Sequence, residues 1–167
     1  ANDDDGGAGG LIGVNWLGQV AAEDGLTVGY MTGMVGAQAH GTPALKVDVR
    51  KFQFVASTEG NTVSYVRTDV GVKKPEDILT KKNFWIGGLT PENDKDLRMR
   101  VELDLLGIPY RYISGYPGAA EARLALERSE IQFTSESMPT YRASIEPSLV
   151  KTGTVAPVWY DTQADAS

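Results

Sequence analysis

The stretch NFWIGGLTPENDKDLRMRVELDLLGIPYRYI, residues 83–113, decides the fold. Asn83 to Ile86 is an apolar run short enough for a strand, closed by Gly87-Gly88. Thr90-Pro91-Glu92 then has the form of a helix start, with a capping hydroxyl, proline at the first helical position and an acid in the first turn. Leu97, Val101 and Leu105 recur four apart on one helix face, and Gly107 supplies a stop. Tyr110 to Ile113 is a second strand.

Downstream the alternation continues. Pro117 to Arg128 reads as a helix and Ile131 to Thr134 as a strand. Met138 to Lys151 reads as a helix kinked or shortened by Pro147, and Val155 to Trp159 as a last strand. The order β-α-β-α-β-α-β predicts an α/β fold, with a mainly parallel sheet flanked by helices on both faces.

Upstream the pattern is looser. The acidic, glycine-rich residues 1–9 form a flexible lead-in, and Leu11, Val14, Leu17 and Ala21 place a helix over Gly10 to Ala22. Asp24-Gly25 makes a turn, Leu26 to Met31 a short strand, and Thr32-Gly33 opens a loop running through Gly36 to Pro43. Phe52 to Ser57 and Thr62 to Arg67 are β-rich runs joined by a turn over Thr58 to Asn61. Pro75 sits near the first position of a short helix after Lys73-Lys74.

The bulk properties exclude several classes. The chain has 167 residues, 16 basic against 22 acidic, for a net charge of -6, which repels a nucleic-acid backbone. Its basic pairs, Lys73-Lys74 with Lys81-Lys82, and Arg98 with Arg100, sit among Glu76, Asp77, Asp96 and Glu102 as solvated helix faces. No apolar run reaches the roughly 20 residues that cross a bilayer. The absence of cysteine removes disulfides and thiolate sites, a condition met in the cytoplasm and by many periplasmic proteins alike.

The parts of an enzyme are missing. His40 is the only histidine, and no Gly-x-Ser-x-Gly elbow presents a nucleophile to it. The glycines between Gly6 and Gly13 follow no strand and precede no Gly-Lys-Ser/Thr, so they are not a phosphate loop. Nothing in the spacing singles out a carboxylate pair, and no cofactor or metal is implied.

What remains is a set of glycine-bearing loops placed after strands: Thr32-Gly33, Gly87-Gly88-Leu89-Thr90, Ser114-Gly115-Tyr116-Pro117-Gly118 and Ser135-Glu136-Ser137. In a parallel sheet such loops converge at the carboxyl ends of the strands, where ligands bind. Free N–H groups of helix starts suit a carboxylate there, and glycine allows close approach. The same glycines also serve as plain strand-to-helix turns, and Glu92 and Glu136 oppose an anion unless they cap helices or accept from a donor on the ligand.

The residues also resemble a family. Gly7 to Gly13, then Ala22-Glu23-Asp24-Gly25-Leu26-Thr27-Val28-Gly29, are similar to a Pro-Gly-Ala-Gly-Gly helix start and a Pro-Asp-Gly-Tyr-Thr-Leu strand. Lys51-Phe52 with Phe54-Val55-Ala56 resemble an Asp-Phe strand, and Pro75 to Leu79 a Thr-x-x-Glu-Leu helix. Ile108-Pro109-Tyr110-Arg111-Tyr112 and Gly115 to Ala120 resemble a His-Val-Pro-Tyr-Lys-Gly strand and loop. Glu127 to Ile131 and Glu136-Ser137-Met138-Pro139 resemble a Gly-Gly-Gln-Val-Asp lead and an Asp-x-x-Pro turn. These motifs belong to the extracytoplasmic solute receptors of tripartite tricarboxylate transporters, the Bug receptors.

The resemblance implies a type-2 periplasmic-binding-protein fold, whose two lobes close on a small carboxylate. It carries ligand contacts onto Thr32, Gly33, Gly87, Gly88, Leu89, Thr90, Gly115, Tyr116, Gly118, Ala119 and Glu136. The family's first strand and its returning segment have no counterpart before Ala1 or after Tyr160, so an incomplete first lobe is expected. The expected division is a lead-in (1–9), a partial first lobe and crossover (10–67), a second lobe (68–160) and a tail (161–167). The expected function is periplasmic carboxylate binding that feeds membrane transporter subunits. The alternative is a non-catalytic interaction subunit of a larger assembly, with Trp16, Tyr116, Trp159 and Tyr160 as candidate contacts.

Overall fold

Short strands rich in aromatic and β-branched residues gain stability only by pairing, and five of them do so here in one sheet. In a computed structural model, residues 10–31, 33–56 and 60–161 are described. The expected lead-in, Thr32, Ser57 with the start of the turn after it, and residues 162–167 lie outside them. The strands are β1 (Thr62–Arg67), β2 (Phe84–Gly87), β3 (Tyr110–Ile113), β4 (Phe133–Ser137) and β5 (Val155–Tyr160), in the order β3-β2-β4-β1-β5. β2 runs parallel to β3 and to β4, while β1 is antiparallel to both β4 and β5. Four strands therefore point one way, with β1 inserted against them.

The crossovers are α3 (Asp94–Leu105), α4 (Ala119–Glu127) and a helix α5 over 138–150; α1 (Leu11–Gln19) and α2 (Met34–Ala39) precede the sheet. The expected alternation from Asn83 onward is present. From Tyr141 to Val150, α5 is wound as a π-helix around Pro147, whose ring nitrogen cannot donate; Lys151 N–H reaches back five residues to Glu146. Core lies on both faces of the sheet. Met99 and Leu103 of α3 meet Ile86, Phe133 and Val66 on one face. Leu126, Ile145 and Leu149 from α4 and α5 meet Val63 and Tyr65 on the other.

Several expectations are corrected. The sheet is mixed and not wholly parallel, because β1 is inserted antiparallel between β4 and β5. Leu26 to Met31 and Phe52 to Ala56 form no strand; Leu26, Val28, Tyr30, Phe54 and Val55 are 76–85% exposed and meet no sheet edge. Within the expected loop from Gly33 to Pro43, α2 forms instead, and Gly41 ends it in the left-handed region.

The cap of α3 is Asn93, whose side chain accepts from Lys95 N–H, three residues after the expected Thr90. Leu97, Val101 and Leu105 do share a face, but it is the exposed one, with Leu105 at 82%; Asp96, Met99 and Leu103 are buried instead. Of the aromatic contact candidates, Trp16 and Tyr160 are exposed. Trp159 packs on Phe133 with ring centroids 5.5 Å apart, and Tyr116 packs against the α4/α5 core.

Candidate functional site

Because β2, β3 and β4 are parallel, the loops after them leave the sheet along a single rim. The loops after β2 and β3 are tied together there. Gly88 N–H donates to the Ile113 carbonyl at 3.0 Å, Gly115 N–H to Leu89 at 2.8 Å and Tyr116 N–H to Gly88 at 3.4 Å. Gly33 joins the rim at the start of α3: a Cβ on it would lie 3.0 Å from Asp94 Cβ. Gly118 precedes α4 and Ala119 begins it, and no side chain caps this helix.

Two of the expected glycines are fixed by packing. A Cβ on Gly87 would fall 2.4 Å from Ile131 Cδ1, inside the core. A Cβ on Gly88 would fall 2.3 Å from all three atoms of the Asp96 carboxyl group. Asp96, fully buried at the first turn of α3, needs that vacancy. Its Oδ2 accepts from Leu89 N–H at 2.5 Å, Thr90 N–H at 3.0 Å and the Tyr112 hydroxyl at 3.0 Å. Burial pushes the Asp96 carboxyl above the usual range, against the pull of Lys95 and these three donors.

The expectation that main-chain donors face a ligand is thus corrected at this loop. An internal carboxylate already takes the N–H groups of Leu89 and Thr90, and carbonyls take those of Gly88, Gly115 and Tyr116. Open polar atoms remain on side chains. Among the described residues, four buried side-chain atoms lack a hydrogen-bond partner: Lys95 Nζ, Asp96 Oδ1, Ser135 Oγ and Tyr65 Oη.

Lys95 and Asp96 begin α3 after the β2 loop and Ser135 lies near the end of β4, whereas Tyr65 sits further into the sheet and on its other face. Ser135 and Glu136 lie near the carboxyl end of β4, paired with Ser64 and Val63 at the start of β1. Glu136 is buried, and its carboxyl is raised by desolvation and drawn back by Lys95 and Arg123. Arg123, one turn into α4, stands 3.7 Å from Glu136 Oε1. Burial pushes the Tyr65 hydroxyl up strongly, with Glu136 adding to the shift, so it stays a neutral donor. The rim therefore gathers two cations, Lys95 and Arg123, two buried acids, Asp96 and Glu136, and the hydroxyl of Ser135. A buried ammonium without an acceptor is costly, and a site left in that state is suited to receive one.

Of the sequence-derived set, Gly33, Gly87 to Thr90, Gly115, Tyr116, Gly118, Ala119 and Glu136 are brought to this rim, while Thr32 lies outside the described residues. Sequence reasoning missed Lys95, Asp96, Tyr65 and Arg123; it named Ser135-Glu136-Ser137 as a loop after a strand, whereas all three residues are in β4, held there by pairing with β1. The signal available for Asp96 was a charged residue on the face of Met99 and Leu103, eight to nine residues after a double glycine. His40 is exposed at the end of α2, away from these groups in the chain.

The same architecture appears in solved structures. One, of a periplasmic transporter, superposes with a TM-score of 0.75 and 18% identity over 96% of this chain and 55% of the other. Another, of the periplasmic binding protein BugD, gives a TM-score of 0.50 and 12% identity over 61% of this chain and 34% of the other. No family model matches the chain, and no curated protein matches it significantly. The chain has the periplasmic-binding-protein-like α/β fold and spans about half or less of the structures it resembles.

Proposed function

We propose that the chain is the ligand-holding lobe of an extracytoplasmic solute-binding protein for a small carboxylate. The observation that carries this reading is a buried Lys95 ammonium without a hydrogen-bond partner that acts on Glu136, next to the equally unpartnered Ser135 hydroxyl in β4. A solute carboxylate supplies the acceptor that Lys95 lacks, with Ser135 as a further donor. Asp96 Oδ1 and Glu136 then favour a solute that also carries a hydroxyl or ammonium donor, since a bare anion would be repelled. Gly33 packs against Asp94 at the start of α3, and Gly118 stands just before α4. Delivery to membrane transporter subunits and a periplasmic location follow from this reading; no helix of the described residues is long and apolar enough to cross a membrane.

A thermal-shift panel of hydroxy-, amino- and unsubstituted mono-, di- and tricarboxylates tests it. At least one substituted carboxylate should raise the melting temperature, and Lys95→Met should abolish the rise. A flat response across the panel contradicts the proposal.

A second reading, an interaction subunit, is favoured by the exposed apolar segments around Leu26 to Tyr30 and Phe54-Val55 and by the Leu97, Val101, Leu105 stripe. Sedimentation of the native protein separates the two: a carboxylate-binding monomer supports the first, a stable larger particle indifferent to carboxylates the second.

A further inference from the structure

At the opposite pole of the sheet lies a cleft of about 500 Å³ that the rim does not use. It opens where β1 ends and where β2 and β4 begin. Val66, Ile78 and Phe84 make its apolar floor, and the half-exposed Trp85 stands in its wall, held by the Arg111 guanidinium 5.1 Å from the ring centre. A cleft of this size and composition falls in the range that holds small organic ligands.

Its charge is opposite to that of the chain. Arg67 and Asp69, both in the lining, cancel in an ion pair at 2.6 Å. Lys81 and Lys82 also line it, and neither side chain makes an ion pair or a hydrogen bond among the described residues, although Asp77 feels Lys81 at longer range. Two ammonium groups thus stand over an apolar floor in a protein of net charge -6.

The backbone supplies an independent sign. Only two described residues other than glycine take left-handed conformations, Asn83 at φ 61° and Ser129 at φ 65°, and both line this cleft. Ser129 ends α4 with paired backbone bonds to Leu126 and, through Glu130, to Ala125. α2, α3 and α5 end on the same pattern with Gly41, Gly107 and Gly153. Where the other three helices use glycine, α4 carries a hydroxyl at a conformational cost.

We propose that this cleft is a second ligand site, for an organic anion with an apolar body. Lys81, Lys82 and the side chains of Asn83 and Ser129 receive the anionic head, and Val66, Phe84 and Trp85 cover the body. The site is separate from the rim and does not rest on the function proposed for it.

Titration of the full chain with phenylacetate, benzylamine and inorganic phosphate, followed by tryptophan fluorescence and calorimetry, tests this. Phenylacetate should bind, while the amine and phosphate should not to about 10 mM. The double substitution Lys81→Met and Lys82→Met should weaken phenylacetate at least about tenfold, and neither residue is in the core. Trp85→Phe should remove the fluorescence change while calorimetric binding persists. Lys95→Met should leave phenylacetate binding intact. No phenylacetate binding, equal binding of phosphate, or loss through Lys95→Met with none through the lysine pair would each overturn the proposal.

Discussion

Removing the Asp96 carboxylate should unfold much of the rim's order, and the size of the effect can be worked from its contacts. Asp96→Ala leaves three donors without their acceptor, the N–H groups of Leu89 and Thr90 and the hydroxyl of Tyr112. An orphaned buried donor costs about 1–3 kcal/mol, but water entering the vacancy and relief of a desolvated acid return part of that, giving a net loss of about 3 kcal/mol. Asp96→Asn retains one acceptor oxygen and should lose about 1–2 kcal/mol. The companion substitution Gly88→Ala places a methyl group 2.3 Å from the carboxyl atoms and must displace them. Urea unfolding of Asp96→Ala, Gly88→Ala and the pair together should therefore show the two losses overlapping, with a coupling of at least about 1 kcal/mol. A loss below about 1 kcal/mol for Asp96→Ala, or strictly additive losses in the pair, would refute the view that this carboxylate organises the loop.

Other consequences are directly measurable. Leu103→Ala, at a fully buried position, should cost about 2–5 kcal/mol in chemical denaturation, whereas Leu105→Ala should change stability by about 0.5 kcal/mol or less. Ser129→Gly should raise stability by about 0.5–1 kcal/mol in the same assay, because only the backbone strain is relieved. Burial, and then a hydrogen bond shared with Asp161, raise the Glu102 carboxyl from its usual 4.5 to about 7. An acid held more tightly protonated in the folded state stabilises it below the unfolded value, and that contribution fades as pH rises from 4.5 to about 7. Asp161 is shifted the other way and acts below 3.8, outside that window. The melting temperature should fall between those limits, with about 1 kcal/mol from this half-exposed group, and Glu102→Gln should flatten the slope.

The chain's own grammar made the second half of the fold legible. From Asn83 on, each apolar strand is followed by glycine or proline and then by a helix, so local signals carry the topology. β1 was a harder case: its strand bounds are visible in Thr62 to Arg67, but its place between β4 and β5 depends on partners about 70 to 100 residues away, which no local pattern states. Leu26 to Met31 and Phe52 to Ala56 have strand composition and remain unpaired, because a strand needs an edge to join.

In α3 the apolar spacing fits two faces equally. The choice fell on Asp96, Met99 and Leu103 because a charged residue can be buried when a distant turn supplies two N–H groups and a missing Cβ. The candidate site divides in the same way. Its glycine turns and the Ser135-Glu136-Ser137 segment were readable, while Lys95 and Arg123 come from two different helices and mean nothing until the fold brings both to act on Glu136.

The measurement closest to the central claim is a calorimetric titration of the native chain and of Lys95→Met with the substituted carboxylate that gives the largest thermal shift. The account predicts saturable binding to the native chain and an affinity at least about tenfold weaker in the variant. Equal affinity in both would contradict it, because the ammonium without a partner would then have no part in holding the solute.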